Sequence, residues 1–188
     1  MKNKLVFFLV FLMLTFAVSF TRAQAIRPVL GQKFEYKFRN LINYPDDRAT
    51  VSDFEGKLLI LYFWNTGCTS CLRSWPDLLR LQEMFRTKVQ FVLVNALQSE
   101  QTVREAIRKQ KETRNVEMVL PIVVGDTILE HLFSYPGVPK VAWFDGKGHF
   151  RSFTGASYVN ESVIRRILNA QSVPMFQLPT ELGENIYM

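Results

Sequence analysis

Apolar positions along the chain alternate between unbroken runs and helical spacing, and this alternation predicts the order of the elements. The run LLILYFW, from Leu58 to Trp64, has no polar interruption, which is typical of a strand buried on both faces of a sheet. Residues 65–67 break the run. Beyond them, apolar side chains recur in three- and four-residue steps, which predicts an amphipathic helix from Cys68 onward.

The same alternation continues to residue 169. Further strands are predicted at Val89–Val94, Leu120–Val124, Val141–Phe144 and His149–Phe153, and helices at Thr102–Arg114, Ile128–Phe133 and Glu161–Asn169. A turn signal, DGKG, separates the last two strands. The order predicts an α/β fold in which a central mixed sheet is flanked by helices, with the early strands parallel and the last two antiparallel.

The segments outside this pattern suggest the domain limits. The 188 residues are a single-domain length, and we assign the domain to residues 26–170. Its first part, to Gly56, is a turn-rich lead-in in which Val51–Phe54 is a short strand or a turn. Residues 171–188 contain two prolines and a glycine without periodicity. They are predicted to be a C-terminal tail that wraps the domain or is disordered.

The N-terminus has the layout of a secretory signal peptide. Two lysines precede an uncharged apolar run from Leu5 to Phe20, and Ala23-Gln24-Ala25 then offers a cleavage site. The run is short for a full membrane span of about 20 residues. We therefore expect residues 1–25 to be removed on export, with a periplasmic protein as the result and an uncleaved membrane anchor as the alternative.

Composition and charge narrow the function classes. Hydrophobic residues make up 48% of the chain, which is enough to fill a core and argues against disorder. The formal charge of +6 includes Lys2, Lys4 and Arg22, so the predicted mature chain carries only +3. Its basic residues are interleaved with acidic ones, which is typical of a solvated surface and does not indicate nucleic-acid binding.

The chemistry is expected at the two cysteines of the chain, Cys68 and Cys71. They occupy positions i and i+3 at the start of the predicted redox helix, directly after a buried strand. Cys68 would meet free backbone N–H groups and the positive end of the helix dipole, which favour its thiolate. Cys68 is therefore predicted to be the nucleophile and Cys71 the resolving thiol, with no cofactor beyond a redox-active disulfide between them.

Two other uses of the cysteines fit the sequence less well. A structural zinc ion needs about four ligands, and the chain adds only His131 and His149, which are not arranged as a paired motif. No metal is therefore predicted. A purely structural disulfide at this spacing would close a very small loop and constrain the unfolded chain little.

Several motifs together resemble the thioredoxin superfamily, in particular its exported TlpA/ResA-like thiol–disulfide oxidoreductases. They are VSDFEGK before the first long strand, FWNTGCTSC at its end, Pro76 in the following helix and Gly137-Val138-Pro139 before a later strand. The likeness spans about residues 31–169. It implies a thioredoxin-like fold, in which the strand and helix between Val89 and Val124 resemble the central insertion of the TlpA-type branch.

The resemblance also implies a substrate-binding site. Pro139 takes the place of a cis-proline that packs against the disulfide, and the backbone of Val138 would face substrate. The alternative is an ordinary trans turn proline. Trp64 matches an aromatic residue that shields the site, and core packing is its other reading. Pro76 lacks a backbone donor and is expected to kink the redox helix.

The chain departs from these relatives where they keep an acid. Tyr62 stands in place of a buried aspartate, and Ser74 in place of a glutamate one turn after the second cysteine. The proton acceptor for Cys71 is therefore open. Water is favoured over the weak candidates Asp53, Glu55 and Glu100, because a lone acid is more often a solvated surface group.

The leading hypothesis is reduction or exchange of protein disulfides outside the cytoplasm, with disulfide-containing proteins as substrates. The resemblance further implies a membrane electron donor. One alternative is a thiol peroxidase of peroxiredoxin type, although Leu61 and Asn65 hold the places of that family's proline and threonine. A second alternative is a non-catalytic interaction module that keeps the thioredoxin fold.

Overall fold

A computed structural model describes residues 27–133 and 137–170. The predicted signal peptide, at residues 1–25, and the tail, at 171–188, lie outside this range. Across the part that is described, no helix has the length and apolar character needed to cross a membrane.

One six-stranded mixed sheet forms the centre of the domain. Its strands, in their order across the sheet, are β2 (Leu41–Ile42), β6 (Ile122–Val124), β5 (Val89–Asn95), β4 (Leu58–Phe63), β7 (Lys140–Phe144) and β8 (Phe150–Gly155). Strand β4 is parallel to β5, and β5 is parallel to β6, whereas β7 runs antiparallel to both β4 and β8. The predicted α/β architecture is thereby confirmed.

The lead-in contains more regular structure than its sequence indicates. β1 (Lys37–Arg39) and β3 (Arg48–Thr50) form a separate antiparallel pair, and β2 (Leu41–Ile42) adds an antiparallel edge to the main sheet beside β6. Val51–Phe54 is a 3-10 turn. These strands have only two or three residues, which is too short for an alternating pattern to show.

Helices cover both faces of the sheet. They are α1 (Thr69–Arg73), α2 (Trp75–Met84), α3 (Glu100–Arg114), α4 (Thr127–Leu132) and α5 (Glu161–Ala170). Every residue of β4 is buried, and alternate side chains enter two cores. One core lies against α2, α3 and α5, and the other against α4 and the lead-in. This confirms that β4 is buried on both faces.

The redox helix is divided into two helices just before Pro76. α1 ends at Arg73, α2 begins at Trp75, and Ser74 lies between them. Pro76 has no N–H to donate to the carbonyl of Leu72 one turn earlier. A side chain from α3 replaces that bond, because the Arg114 guanidinium donates to Leu72 O over 3.1 Å.

Candidate functional site

The cysteine pair lies where β4 gives way to α1. The strand ladder ends with Trp64 N–H donating to Val94 O, and a turn follows in which Cys68 N–H donates to Asn65 O over 3.2 Å. Cys68 is the N-cap residue of α1, and its side chain is joined to that of Cys71 by a disulfide. The structure thus brings both predicted cysteines to the start of the helix.

Three polar groups surround the sulfur of Cys68. The backbone N–H of Cys71 donates to Cys68 Sγ over 3.2 Å, and the Ser70 hydroxyl donates to it over 3.4 Å. The carbonyl oxygen of Val138 lies 3.7 Å away. Because two donors point at this sulfur, a thiolate formed on reduction would be stabilised. Sequence patterns alone did not identify Ser70, although its place between the two cysteines was the available signal.

The two cysteines differ in exposure. Cys68 is partly exposed, whereas Cys71 has no exposed surface and packs in the core that lies against α2, α3 and α5. A substrate disulfide can therefore approach Cys68 but not Cys71. This asymmetry is the geometry that attack by one thiol and resolution by the other require.

The loop before β7 completes the site from the other side. The bond between Val138 and Pro139 is cis, as predicted. β7 pairs with β4, which places Lys140 opposite Phe63 and so brings the loop to the end of the strand that leads to Cys68. Val138 and Pro139 are both partly exposed. Their contact with substrate stays a prediction.

Trp64 is buried in the core against which Cys68 packs. It is 2% exposed and packs edge-on against Trp75, with 5.0 Å between the ring centroids. Trp64 therefore packs in the core, which is one of the two roles predicted for it. Its role in shielding the site from substrate or solvent stays a prediction. Within the described residues, the indole nitrogens of Trp64 and Trp75 have no hydrogen-bond partner.

The two places where relatives keep an acid lie next to each other. Tyr62 is fully buried, and burial raises the pKa of its hydroxyl, with a smaller opposing effect from the nearby Ser74 hydroxyl. Ser74 gives its own hydrogen bond to Ser70 O over 2.9 Å. A neutral hydroxyl does not act as a base, and neither group is ionised near neutral pH. An ordinary tyrosine titrates near 10, and burial raises the pKa of Tyr62 further.

The other candidate bases are engaged elsewhere. The Asp53 carboxylate accepts hydrogen bonds from Thr50 as a helix cap, Glu55 pairs with Lys33 at 3.3 Å, and Glu100 pairs with Arg104 at 2.6 Å. All three acids are exposed. Each of these acids thus has the contacts of a surface group, and none of these contacts involves Cys71.

The two histidines lie in other elements of the fold than the cysteines. The His149 ring lies 3.0 Å from the Asp145 carboxylate in the β7–β8 hairpin, and His131 is in the last turn of α4. Residues 27–133 and 137–170 contain no group of three His, Cys, Asp or Glu side chains that could hold a metal ion.

Comparison with known proteins points to the same family. The model of a family described as thioredoxin-like matches residues 56–150, which includes the cysteine pair and most of the sheet. The Bacillus subtilis thioredoxin-like protein YneN is 24% identical over 102 residues. That match covers 54% of this chain and 58% of YneN, so the chain spans less than two thirds of this relative.

Solved structures share the fold at low identity. A Chlorobium tepidum protein assigned as the thiol:disulfide interchange protein DsbE is 19% identical, with a TM-score of 0.61 over 76% of this chain and 98% of its own. The exposed lipoprotein thioredoxin of Streptococcus pneumoniae is 20% identical, with a TM-score of 0.55 over 72% of this chain and 98% of its own. These neighbours confirm the fold predicted from the sequence motifs.

Proposed function

Because this chain belongs to the thioredoxin-like family, we propose that it is a thiol–disulfide oxidoreductase that exchanges or reduces disulfides of other proteins through Cys68 and Cys71. The observation that carries the proposal is the asymmetry of the pair. Cys68 is partly exposed at a helix start, with two donors on its sulfur, and Cys71 is fully buried one turn further on. The thiol:disulfide interchange protein and the thioredoxin among the structural neighbours support it.

The reaction has two exchange steps. The Cys68 thiolate of the reduced protein attacks one sulfur of a substrate disulfide, which forms a mixed disulfide and releases the other substrate sulfur as a thiolate that takes up a proton. Cys71 then loses its proton and attacks Cys68 Sγ. The second substrate thiol leaves, and the Cys68–Cys71 disulfide is regenerated. Two electrons have passed to the substrate.

The loop at Val138 and Pro139 is the proposed substrate-binding surface. Val138 O lies 3.7 Å from the attacking sulfur, so an extended substrate segment beside this loop would bring its disulfide to Cys68. Trp64 belongs to the core against which both Cys68 and Val138 pack, so it would shield this surface from below. The protein needs no metal or organic cofactor for this chemistry.

We further propose that the protein acts outside the cytoplasm. The signal-like N-terminus supports this, as does the exposed lipoprotein among the structural neighbours. A membrane electron donor would return the disulfide to the dithiol. N-terminal sequencing of exported protein is expected to begin near Ile26, and an intact Met1 in the membrane fraction would instead indicate an anchor.

Insulin reduction by dithiothreitol tests the activity. The protein is expected to accelerate it, and Cys68→Ser is expected to abolish the acceleration. Equilibration with glutathione then gives the reduction potential and the direction of electron flow. Peroxide consumption without disulfide exchange would contradict the proposal and favour a peroxidase, and no reaction in either assay would favour an interaction module.

A further inference from the structure

A side chain that follows β5 forms hydrogen bonds with the turn that precedes Cys68. The Gln98 carboxamide, 32 residues further along the chain, bonds to both polar groups of Thr66. Thr66 N–H donates to Gln98 Oε1 over 2.9 Å, and Gln98 Nε2 donates to the Thr66 hydroxyl over 2.7 Å. Thr66 lies between the last ladder bond of β4, at Trp64, and the N-cap at Cys68.

A buried residue fixes the carboxamide in turn. Asn95 has no exposed surface, and its Nδ2 donates to Gln98 Oε1 over 2.8 Å. Asn95 Oδ1 accepts from Gln98 N–H over 3.2 Å, and the Asn95 carbonyl accepts from Gly125 N–H over 2.9 Å. Oε1 therefore receives two donors, which sets the orientation of the amide. The sheet core is connected to the cysteine loop through Asn95, Gln98 and Thr66.

From this network we propose that Gln98 is a positioning residue for the Cys68 thiol. Gln98 does not touch the reacting sulfurs, and the inference rests on the thiol chemistry proposed above. It holds the turn at residues 65–67 so that Cys68 stays on the N-cap, within reach of the Cys71 N–H. A small displacement of a reacting group lowers its rate strongly.

The test uses two pairs of matched variants. Gln98→Leu removes every hydrogen bond of the carboxamide at similar size, and Gln101→Leu makes the same change at an exposed glutamine of α3. Thr66→Val removes only the hydroxyl that Gln98 Nε2 reaches, whereas Thr66→Ser keeps it. Thermal unfolding shows which variants are folded, and the Thr66 pair still decides the matter if Gln98→Leu fails to fold.

The readout is the pH profile of Cys68 alkylation by iodoacetamide, in the reduced full chain and in a Cys71→Ser background. Gln98→Leu and Thr66→Val are expected to raise the pKa of Cys68 by about half a unit or more and to slow alkylation at pH 7 about threefold. Gln101→Leu and Thr66→Ser should match the parent. The double variant Gln98→Leu/Thr66→Val should be little worse than Gln98→Leu alone.

Parent-like profiles for folded Gln98→Leu or for Thr66→Val would overturn the proposal, as would full additivity of the two changes. Alkylation needs no disulfide substrate, so the test is independent of whether the protein exchanges disulfides. Failure of the proposed function would appear separately, as a parent protein whose Cys68 alkylates normally but does not react with insulin or glutathione.

Discussion

Cys68 and Cys71 have the same side chain but different surroundings. Cys68 Sγ is reached by the Cys71 N–H and the Ser70 hydroxyl, and it is partly exposed. Cys71 has no exposed surface, and burial disfavours the charged form of a thiol. Resolution is therefore the step for which this site offers the least help, since Tyr62 and Ser74 supply hydroxyls where relatives keep carboxylates.

The first prediction restores an acid at this point. Ser74→Glu is expected to accelerate resolution by Cys71 about tenfold near pH 7, because a carboxylate beside the buried thiol can accept its proton. In the parent protein, resolution should be slow near neutrality and should speed up as hydroxide rises. Stopped-flow decay of a mixed disulfide on Cys68, followed across pH, measures both.

Ser74→Gln is the matched control, since it has the size of glutamate without a base, and it should decay at the parent rate. A fast, pH-independent decay in the parent would mean that another base already serves Cys71. Equal acceleration by Ser74→Gln would show that side-chain size, and not the carboxylate, is responsible.

At the scale of elements, the sequence predicted the long ones well. β4, β5 and the helices were predicted within about two residues at most ends, because runs of apolar residues and helical spacing extend far enough to be recognised. β1, β2 and β3 were not predicted. They are two or three residues long, and their conformation depends on pairing, of β1 with β3 and of β2 with the distant β6, that no local pattern shows.

The interruption between α1 and α2 was predictable from the sequence only in part. Pro76 predicted a distortion, but nothing local predicted that Arg114 of α3 would cap the carbonyl of Leu72. The same holds for the site. Its cysteines and the cis bond at Pro139 were predicted from motifs, whereas the Gln98 link depends on how β5 lies beside β4.

The second prediction concerns that cap. Arg114→Ala is expected to lower the free energy of unfolding by about 1 kcal/mol, because a backbone carbonyl loses its donor. In a Pro76→Ala background the cost should shrink, since residue 76 then has an N–H that can reach Leu72 O. Urea denaturation of the four proteins in this cycle gives the coupling.

Arg108→Ala serves as the control, because Arg108 is exposed and pairs with Glu105 and Glu112 on its own helix. Such surface pairs contribute about 0–1 kcal/mol. If Arg114→Ala lowers the free energy of unfolding equally with and without Pro76, Arg114 does not act as the cap of Leu72.

At the scale of the whole molecule, the β7–β8 hairpin joins the sheet to the lead-in. Gly56 N–H donates to Gly146 O over 2.8 Å, and Phe34 N–H donates to Gly148 O over 2.9 Å. The turn itself is organised by Asp145, whose carboxylate accepts from two backbone N–H groups, at Lys147 and His149, and from Arg151. The Asp145 carboxylate therefore organises the turn through which the lead-in contacts the sheet.

The third prediction is a pH dependence of stability. Burial alone would raise the pKa of Asp145, but hydrogen bonds from His149 and Lys147 and the charge of Arg151 outweigh it and lower that pKa. A carboxylate with a lowered pKa stabilises the fold above its unfolded pKa, near 3.9, and the contribution is lost as pH falls through the folded value.

Asp145→Asn should therefore lower the free energy of unfolding by about 1–2 kcal/mol at pH 6–7, and the difference from the parent should shrink below about pH 4. Asp46→Asn, at an exposed site, should behave like the parent throughout. Urea denaturation from pH 3 to pH 7 makes the comparison. A cost that is constant with pH would contradict the assigned role of the Asp145 charge.

The central claim is that Cys68 attacks and Cys71 resolves, and trapping a mixed disulfide tests it most directly. Reduced Cys71→Ser and Cys68→Ser variants are each mixed with a disulfide-containing protein, quenched with acid and analysed by non-reducing electrophoresis and mass spectrometry. We predict a stable mixed disulfide on Cys68 in the Cys71→Ser variant, and little or none on the buried Cys71 in the Cys68→Ser variant. Equal trapping by both variants, or trapping on Cys71 alone, would contradict the account.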